Sequence, residues 1–193
     1  MDRLLVVRLS EALPLKEKLL SVVAEPRKEK AMRYVKEADQ VRSLVGSCLI
    51  ERYVGVGRIV LQPHGKPFMP GGPEFSLSHA GDFIGIYISD DVVGLDIESI
   101  SRCELSLIPA AFTQEEANTI TDQATFAFAW TRKEAVTKCL GRGIESPAKN
   151  GLSLIRDGIY AYQAQEYAVK SFLFEDHAFA LARSEERRVG KEC

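Results

Sequence analysis

Asp96 and Glu98, two positions apart in the run VGLDIE, are the first candidates for chemistry. On a strand, residues i and i+2 face one side, so both carboxylates would point one way while Leu95 and Ile97 point the other. Like charges held so close repel, and a hard cation such as Mg²⁺ relieves the repulsion by taking their oxygens as ligands. Taken alone, D-x-E is more often the solvated end of an ordinary strand. A second constellation is WTRKEAVTK, where Trp130, Glu134 and Lys138 recur at four-residue steps and share a helix face. Glu134 could supply a third metal oxygen, and Lys138 could meet a phosphate from the next turn. The plain alternative is a surface Glu–Lys pair stabilising the helix by about 0.2–0.5 kcal/mol. A third group joins Gly65-Lys66-Pro67 to Ser76-Leu77-Ser78-His79. Lys66 in a stiff loop could be held over an adenine or a phosphate. Ser76 and Ser78 share a strand face and His79 ends the strand, where side chains reach a cleft, although a lone histidine is usually a hydrogen-bonded surface residue. Arg42 interrupts the apolar stripe of its own helix, which is also what the exposed side of a helix looks like.

The elements that must carry these residues are legible from periodicity and breakers. Arg3 to Leu9 reads as a strand, Pro14 to Ala24 as a helix, and Arg27-Lys28-Glu29-Lys30 as a basic segment. Val41, Leu44, Val45, Cys48 and Leu49 recur at helical spacing until Gly55 and Gly57. Arg58 to Gln62 predicts a strand, followed by a loop rich in proline and glycine. Phe75 to His79, Phe83 to Ser89 and Val92 to Glu98 predict three strands, with turns at Gly81-Asp82 and Asp90-Asp91. Thr113 with Glu116 three residues later is a capping box, and Ala124 to Leu140 a helix closed by Gly141 and Gly143. The remainder reads as strands over Leu152 to Arg156, Ile159 to Gln163, Tyr167 to Phe174 and His177 to Arg183. Helices with antiparallel strands in each half make an α+β pattern.

Composition bounds the function classes. The 193 residues are 46% hydrophobic and 27% charged, enough for a sizeable core in one large or two small domains. A net charge of −2 argues against the broad basic surface that duplex nucleic acid selects, while leaving room for a locally basic pocket. Cys48, Cys103, Cys139 and Cys193 form no C-x-x-C pair, which suits reduced thiols in the cytoplasm better than a zinc site or a disulfide framework. The opening MDRLLVVRLS is too short an apolar run for a signal peptide, and no stretch approaches membrane-spanning length. The closing RSEERRVGKEC, Arg183 to Cys193, resembles the in-frame translation of a sequencing-adapter oligonucleotide. That origin would put the native sequence only as far as about residue 183 and leave 184–193 docked nowhere, whereas an ordinary charged tail is the alternative.

Taken in order, GKP, FSLSHAG, VGLDIE, F-T-x-x-E and WTRKEAVTKCLGRG closely resemble the motif set of 4'-phosphopantetheinyl transferases of the surfactin-synthetase-activating (Sfp) type. Arg42-Ser43-Leu44-Val45-Gly46 also resembles that family's R-x-x-x-G helix, so the likeness runs from about Arg27 to Arg183. It implies two similar α/β halves related by a pseudo-twofold, with the active site in the cleft between them. Residues 1–93 would form the coenzyme A nucleotide side, and 94–183 the metal and phosphate side.

Residue by residue, the resemblance gives Asp96, Glu98 and Glu134 as the Mg²⁺ carboxylates, with Mn²⁺ as an alternative ion. Lys133 and Lys138 would face the phosphates, Arg42 and His79 the ribose 3'-phosphate, and Ser78 the pyrophosphate. Gly65, Lys66 and Pro67 would form the adenine-side loop, with Arg27 and Lys30 reaching the nucleotide. Glu116 would be the general base for the carrier serine, a role that competes with its place in the capping box. The implied reaction moves phosphopantetheine from coenzyme A to a serine of an acyl, peptidyl or polyketide carrier protein and releases 3',5'-ADP. The implied enzyme is a cytoplasmic monomer engaging neither nucleic acid nor membrane. A homologue that binds coenzyme A or a carrier without transferring the arm is the second reading. An unrelated Mg²⁺-dependent nucleotide enzyme is a third, although the chain has no P-loop. The motifs do not say which carrier is served.

Overall fold

The computed structural model describes residues 2–141, 153–162 and 164–185. The first sheet has the order β1-β5-β4, from Arg3–Arg8, Phe83–Ser89 and Glu74–Ala80, antiparallel throughout. Helix α4, Glu37–Tyr53, packs its buried Val41, Val45, Leu49 and Ile50 on Phe75, Ile84, Ile86 and Ile88 of that sheet. The short helices α1 (Leu9–Ala12) and α2 (Lys16–Val22) precede α3, Glu25–Met32, which absorbs the basic segment. Pro26 suits the start of α3, since its missing N–H would have no helical partner there.

The second sheet has the order β6-β9-β8-β7, from Val93–Ser99, His177–Glu185, Gln165–Phe174 and Gly158–Tyr162. Its long helix is α7, Gln123–Leu140, opened by an Asp122–Thr125 capping box and closed by Gly141 in the left-handed region at φ 63°. Alternation along the strands sorts the side chains. Ala180 and Ala182 pack beneath α7 with Ala135, Val136 and Cys139. Val93, Leu95, Ile97 and Phe179 turn the other way onto Phe83 and Tyr87 of β5. Strand β5 is therefore buried on both faces, and this shared layer joins the two sheets. Between their edges, Ser76 Oγ accepts from the Leu95 N–H (3.0 Å) and Ser78 Oγ from the Ile97 N–H (3.2 Å). Seryl hydroxyls thus satisfy backbone donors that no strand ladder reaches.

Several expectations need correction. Asp90-Asp91 does not close a hairpin: β6 leaves the first sheet and pairs with β9, because β5 already has β1 and β4 at its edges. Arg58 to Gln62 reduces to a two-residue strand β2, Val60–Leu61, paired with β3, Pro67–Phe68. Ser153 to Arg156 is not a strand; its backbone groups are taken by side chains of the helical layer. Leu152, Gln163, Gly143 and residues 186–193 lie outside the described residues. The boundary at Arg183 falls inside β9, where Ser184 pairs with Tyr167, Glu185 pairs with Glu166, and the Ser184 N–H donates to Val92 O (2.9 Å). Ser184 and Glu185 are docked, contrary to the expectation for 184–193.

Candidate active site

The site grows from the junction of β6 and α7. Gly94 begins it: a Cβ there would lie 1.9 Å from the Ala135 carbonyl oxygen, so only glycine lets the helix come this close. Asp96 and Glu98 follow on the same face as Gly94 and meet the Trp130, Glu134 and Lys138 stripe of α7. All five side chains, with Ser78 and His79 of β4, line one cavity of about 360 Å³. Lys138 Nζ lies 2.7 Å from Asp96 Oδ1 and 3.1 Å from Ser78 Oγ. Ser78 donates to the same Asp96 oxygen at 3.1 Å.

The electrostatics are those of a crowded, partly dry carboxylate group. Burial, then the Asp96 charge, pushes Glu98 up to about 7, with the Trp130 indole bond and Lys138 opposing. Burial and Asp96 likewise raise Glu134 to about 7 against Lys138. Asp96 is also raised by burial, and Lys138 counters the shift. Asp96 Oδ2 and Glu134 Oε1 are buried and have no hydrogen-bond partner among the described residues. Buried carboxylate oxygens without a partner, on residues that line a cavity, are the acceptor set a hard cation takes, so the donor chemistry fits Mg²⁺. Among the described residues no group of three or more His, Cys, Asp or Glu side chains is gathered tightly enough to hold a metal.

A larger cavity of about 800 Å³ adjoins it, with Ser78 and His79 in both walls. Arg27 and Lys30 of α3, Arg42 of α4, Gly65 of the loop before β3 and Pro67 of β3 line it. The Arg42 guanidinium donates to Asp39 (2.7 Å) and to the Gly81 carbonyl (3.1 Å), which leaves its buried Nε without a partner. Arg27 is held by Glu51 at 3.2 Å. His79 is depressed by burial, then by Arg42 and Lys138, so it stays neutral near pH 7. Sequence reasoning missed Arg58, Tyr34, Asp39 and Glu51 in this wall. Arg58 opens the predicted strand before the G-K-P loop, and that position was its only signal.

Three assigned residues turn away from both cavities. Glu116 is fully buried: it caps Thr113, accepts from the Leu154 N–H (2.9 Å) and pairs with Lys133 Nζ at 2.6 Å. A carboxylate so enclosed cannot take a proton from a visiting serine; its place is that of a cap and a buried ion pair. Lys133, equally buried, spends its ammonium on Glu116 and lies over the Phe112 ring rather than facing phosphates. Lys66 is buried too, and its Nζ donates to Val93 O at 2.9 Å instead of entering the nucleotide cavity.

Comparison with known proteins finds relatives of one kind. Residues 92–185 match the 4'-phosphopantetheinyl transferase superfamily, the stretch that carries Asp96, Glu98, Glu134 and Lys138. The chain is 30% identical to 4'-phosphopantetheinyl transferase gsp of Aneurinibacillus migulanus over 67% of its own length and 60% of the relative's. It is 25% identical to 4'-phosphopantetheinyl transferase ffp of Bacillus subtilis, covering 81% of this chain and 78% of that one. To the transferase AcpT of Salmonella typhimurium it is 39% identical over 51% of its length and 57% of the relative's. The chain is thus similar to 4'-phosphopantetheinyl transferases, and its residues 92–185 match that superfamily. It spans about 60% of the gsp relative's length.

Proposed function

We propose that the protein transfers the phosphopantetheine arm of coenzyme A to a serine of an acyl, peptidyl or polyketide carrier protein. The observation that carries this is the pair of adjoining cavities, one lined by Arg27, Lys30 and Arg42, the other by Asp96, Glu98, Glu134 and Lys138. In the reaction the serine oxygen bonds to the β-phosphorus of coenzyme A, the P–O bond to 3',5'-ADP breaks with its electron pair staying on the leaving oxygen, and the hydroxyl proton passes to water. Asp96, Glu98 and Glu134 would hold a divalent ion, Mg²⁺ or Mn²⁺, which would supply positive charge for the pyrophosphate. Lys138 supplies a second, preorganised charge, since Asp96 and Ser78 hold its ammonium at the cavity wall. His79 lines both cavities and Arg42 the larger one, which supports their donating to a ribose 3'-phosphate.

The same reading divides the chain at 93/94 into a nucleotide side and a metal and phosphate side; the two sheets support a division there to within a residue, since β6 starts at Val93. It places a monomer in the cytoplasm, engaging neither nucleic acid nor membrane. The free thiols of Cys48, Cys103 and Cys139 and the slight negative charge support this. No helix of the described residues is long and apolar enough to cross a membrane.

Incubation with coenzyme A, Mg²⁺ and a panel of apo-carriers tests the reaction. Mass spectrometry should find one phosphopantetheinyl group added to at least one carrier; binding of coenzyme A with no mass gain on any carrier would favour a binding homologue. A finer test uses Arg42→Ala. Losing one charged donor to the 3'-phosphate should weaken coenzyme A binding about tenfold to a hundredfold, and dephospho-coenzyme A binding far less. Equal losses by calorimetric titration would make Arg42 a structural residue held by Asp39 and Gly81.

A further inference from the structure

Lys66 occupies an unusual place for a lysine. Its side chain is only 7% exposed, and its nearest carboxylate, Glu74, is 3.9 Å away, a weak partner for a buried ammonium. The Nζ donates instead to the carbonyls of Val93 (2.9 Å) and Cys139 (3.5 Å). Those two oxygens belong to different elements. Val93 opens β6, the strand that carries Asp96 and Glu98. Cys139 lies in the last turn of α7, where carbonyls have no helical donor and the helix dipole favours a cation. Gln62, at the other end of the same loop, closes on Gly141, where a Cβ would lie 2.4 Å from its Oε1. The Gln62 N–H also donates to the Lys66 carbonyl at 2.9 Å and closes the loop. On either side of Lys66, Gly65 and Pro67 line the larger cavity. One side chain thus spans from the loop beside the nucleotide cavity to the two elements that build the carboxylate cavity.

We infer that Lys66 is a positioning residue, whose ammonium fixes the last turn of α7 and the start of β6 against the G-K-P loop. Glu134 and Lys138 are thereby held at a set distance from a ligand seated on that loop. The inference rests on the transferase reading for its effect on turnover, but the link itself is a property of the fold. Such a residue acts on the geometry of transfer without contributing contacts to the nucleotide.

Lys66→Met keeps the aliphatic stem and removes the ammonium, and Lys66→Arg restores a cation. For Lys66→Met, kcat should fall about tenfold or more while the 3',5'-ADP dissociation constant, read by calorimetry, stays within about threefold. Lys66→Arg should recover most of the turnover. Trp130, the single tryptophan of the chain, lies on α7 and reports its placement without any ligand. Its emission in the free protein should shift in Lys66→Met and return in Lys66→Arg.

A loss of 3',5'-ADP affinity matching the loss in kcat/KM would make Lys66 a nucleotide contact and overturn the inference. So would a lower melting temperature with unchanged kcat and unchanged Trp130 emission. Should wild-type protein transfer nothing, the functional reading fails, while the ligand-free Trp130 spectra still decide the link: identical spectra overturn it. If Lys66→Met does not fold, Lys66→Gln is judged by the same measurements.

Discussion

Glu134→Gln should abolish transfer and yet leave the metal-free protein more stable at pH 8. The folded-state pKa of Glu134 stands at about 7, above its ordinary 4.5, because burial and then the Asp96 charge disfavour ionisation. A carboxyl shifted upward costs stability as pH rises from about 4.5 through 7, and the whole deficit is present above that range. The amide removes the charge but keeps the shape, so the variant should gain on the order of 1–3 kcal/mol at pH 8 and nothing near pH 4. Mg²⁺ should raise the melting temperature of wild type at pH 8 and do less for the variant, because ligand binding stabilises only the state that binds. Transfer should drop by at least about a hundredfold, the usual effect of losing one preorganised charge contact. Thermal melts across pH, with and without Mg²⁺, check the first part, and the mass of a carrier protein checks the second. Wild-type turnover in the variant, or a stability gain independent of pH, would remove Glu134 from the site.

Glu116→Gln should unfold the protein more readily, by about 3–5 kcal/mol, whatever it does to turnover. Glu116 and Lys133 form a buried pair whose side chains are 0% and 2% exposed. Removing one charge strands the other in a medium that cannot solvate it. Glu116 also holds the Thr113 and Leu154 N–H groups, which tie helix α6 (Gln114–Ala117) to the chain returning toward β7. Arg132 reinforces the same segment through the carbonyls of Leu154 (2.9 Å) and Ile155 (2.7 Å). The double variant Glu116→Gln, Lys133→Met removes both charges and should recover part of the loss, which urea unfolding of the three variants measures. A Glu116→Gln protein that melts like wild type but turns over a hundredfold slower would restore Glu116 as the base.

These two glutamates show where local reading ends. Both sit in motifs that the sequence makes plain, and both face a lysine. Glu134 reaches an open cavity because Gly94 lets α7 lie against β6, putting the Trp130-Glu134-Lys138 stripe opposite Asp96 and Glu98. Strand period two and helix period near four were enough to say which side chains would share a face. Whether a face opens on solvent, a ligand or another side chain is not encoded in a period. For Glu116 the answer is Lys133, and for Lys66 it is two backbone carbonyls.

The sequence by itself determined the element types, the capping boxes, the alternation of β6 and the ordered motifs that mark the superfamily. Each depends on neighbours within a few residues, where steric and hydrogen-bonding rules are local. The tertiary structure alone decided that β6 deserts β5 for β9, and that Ser76 and Ser78 stitch the sheet edges. It also decided that Lys66, Lys133 and Glu116 lie inside while Arg42, His79 and Lys138 line cavities. Those outcomes follow from what a charged group meets across the chain, because a buried ammonium or carboxylate must find partners wherever packing supplies them.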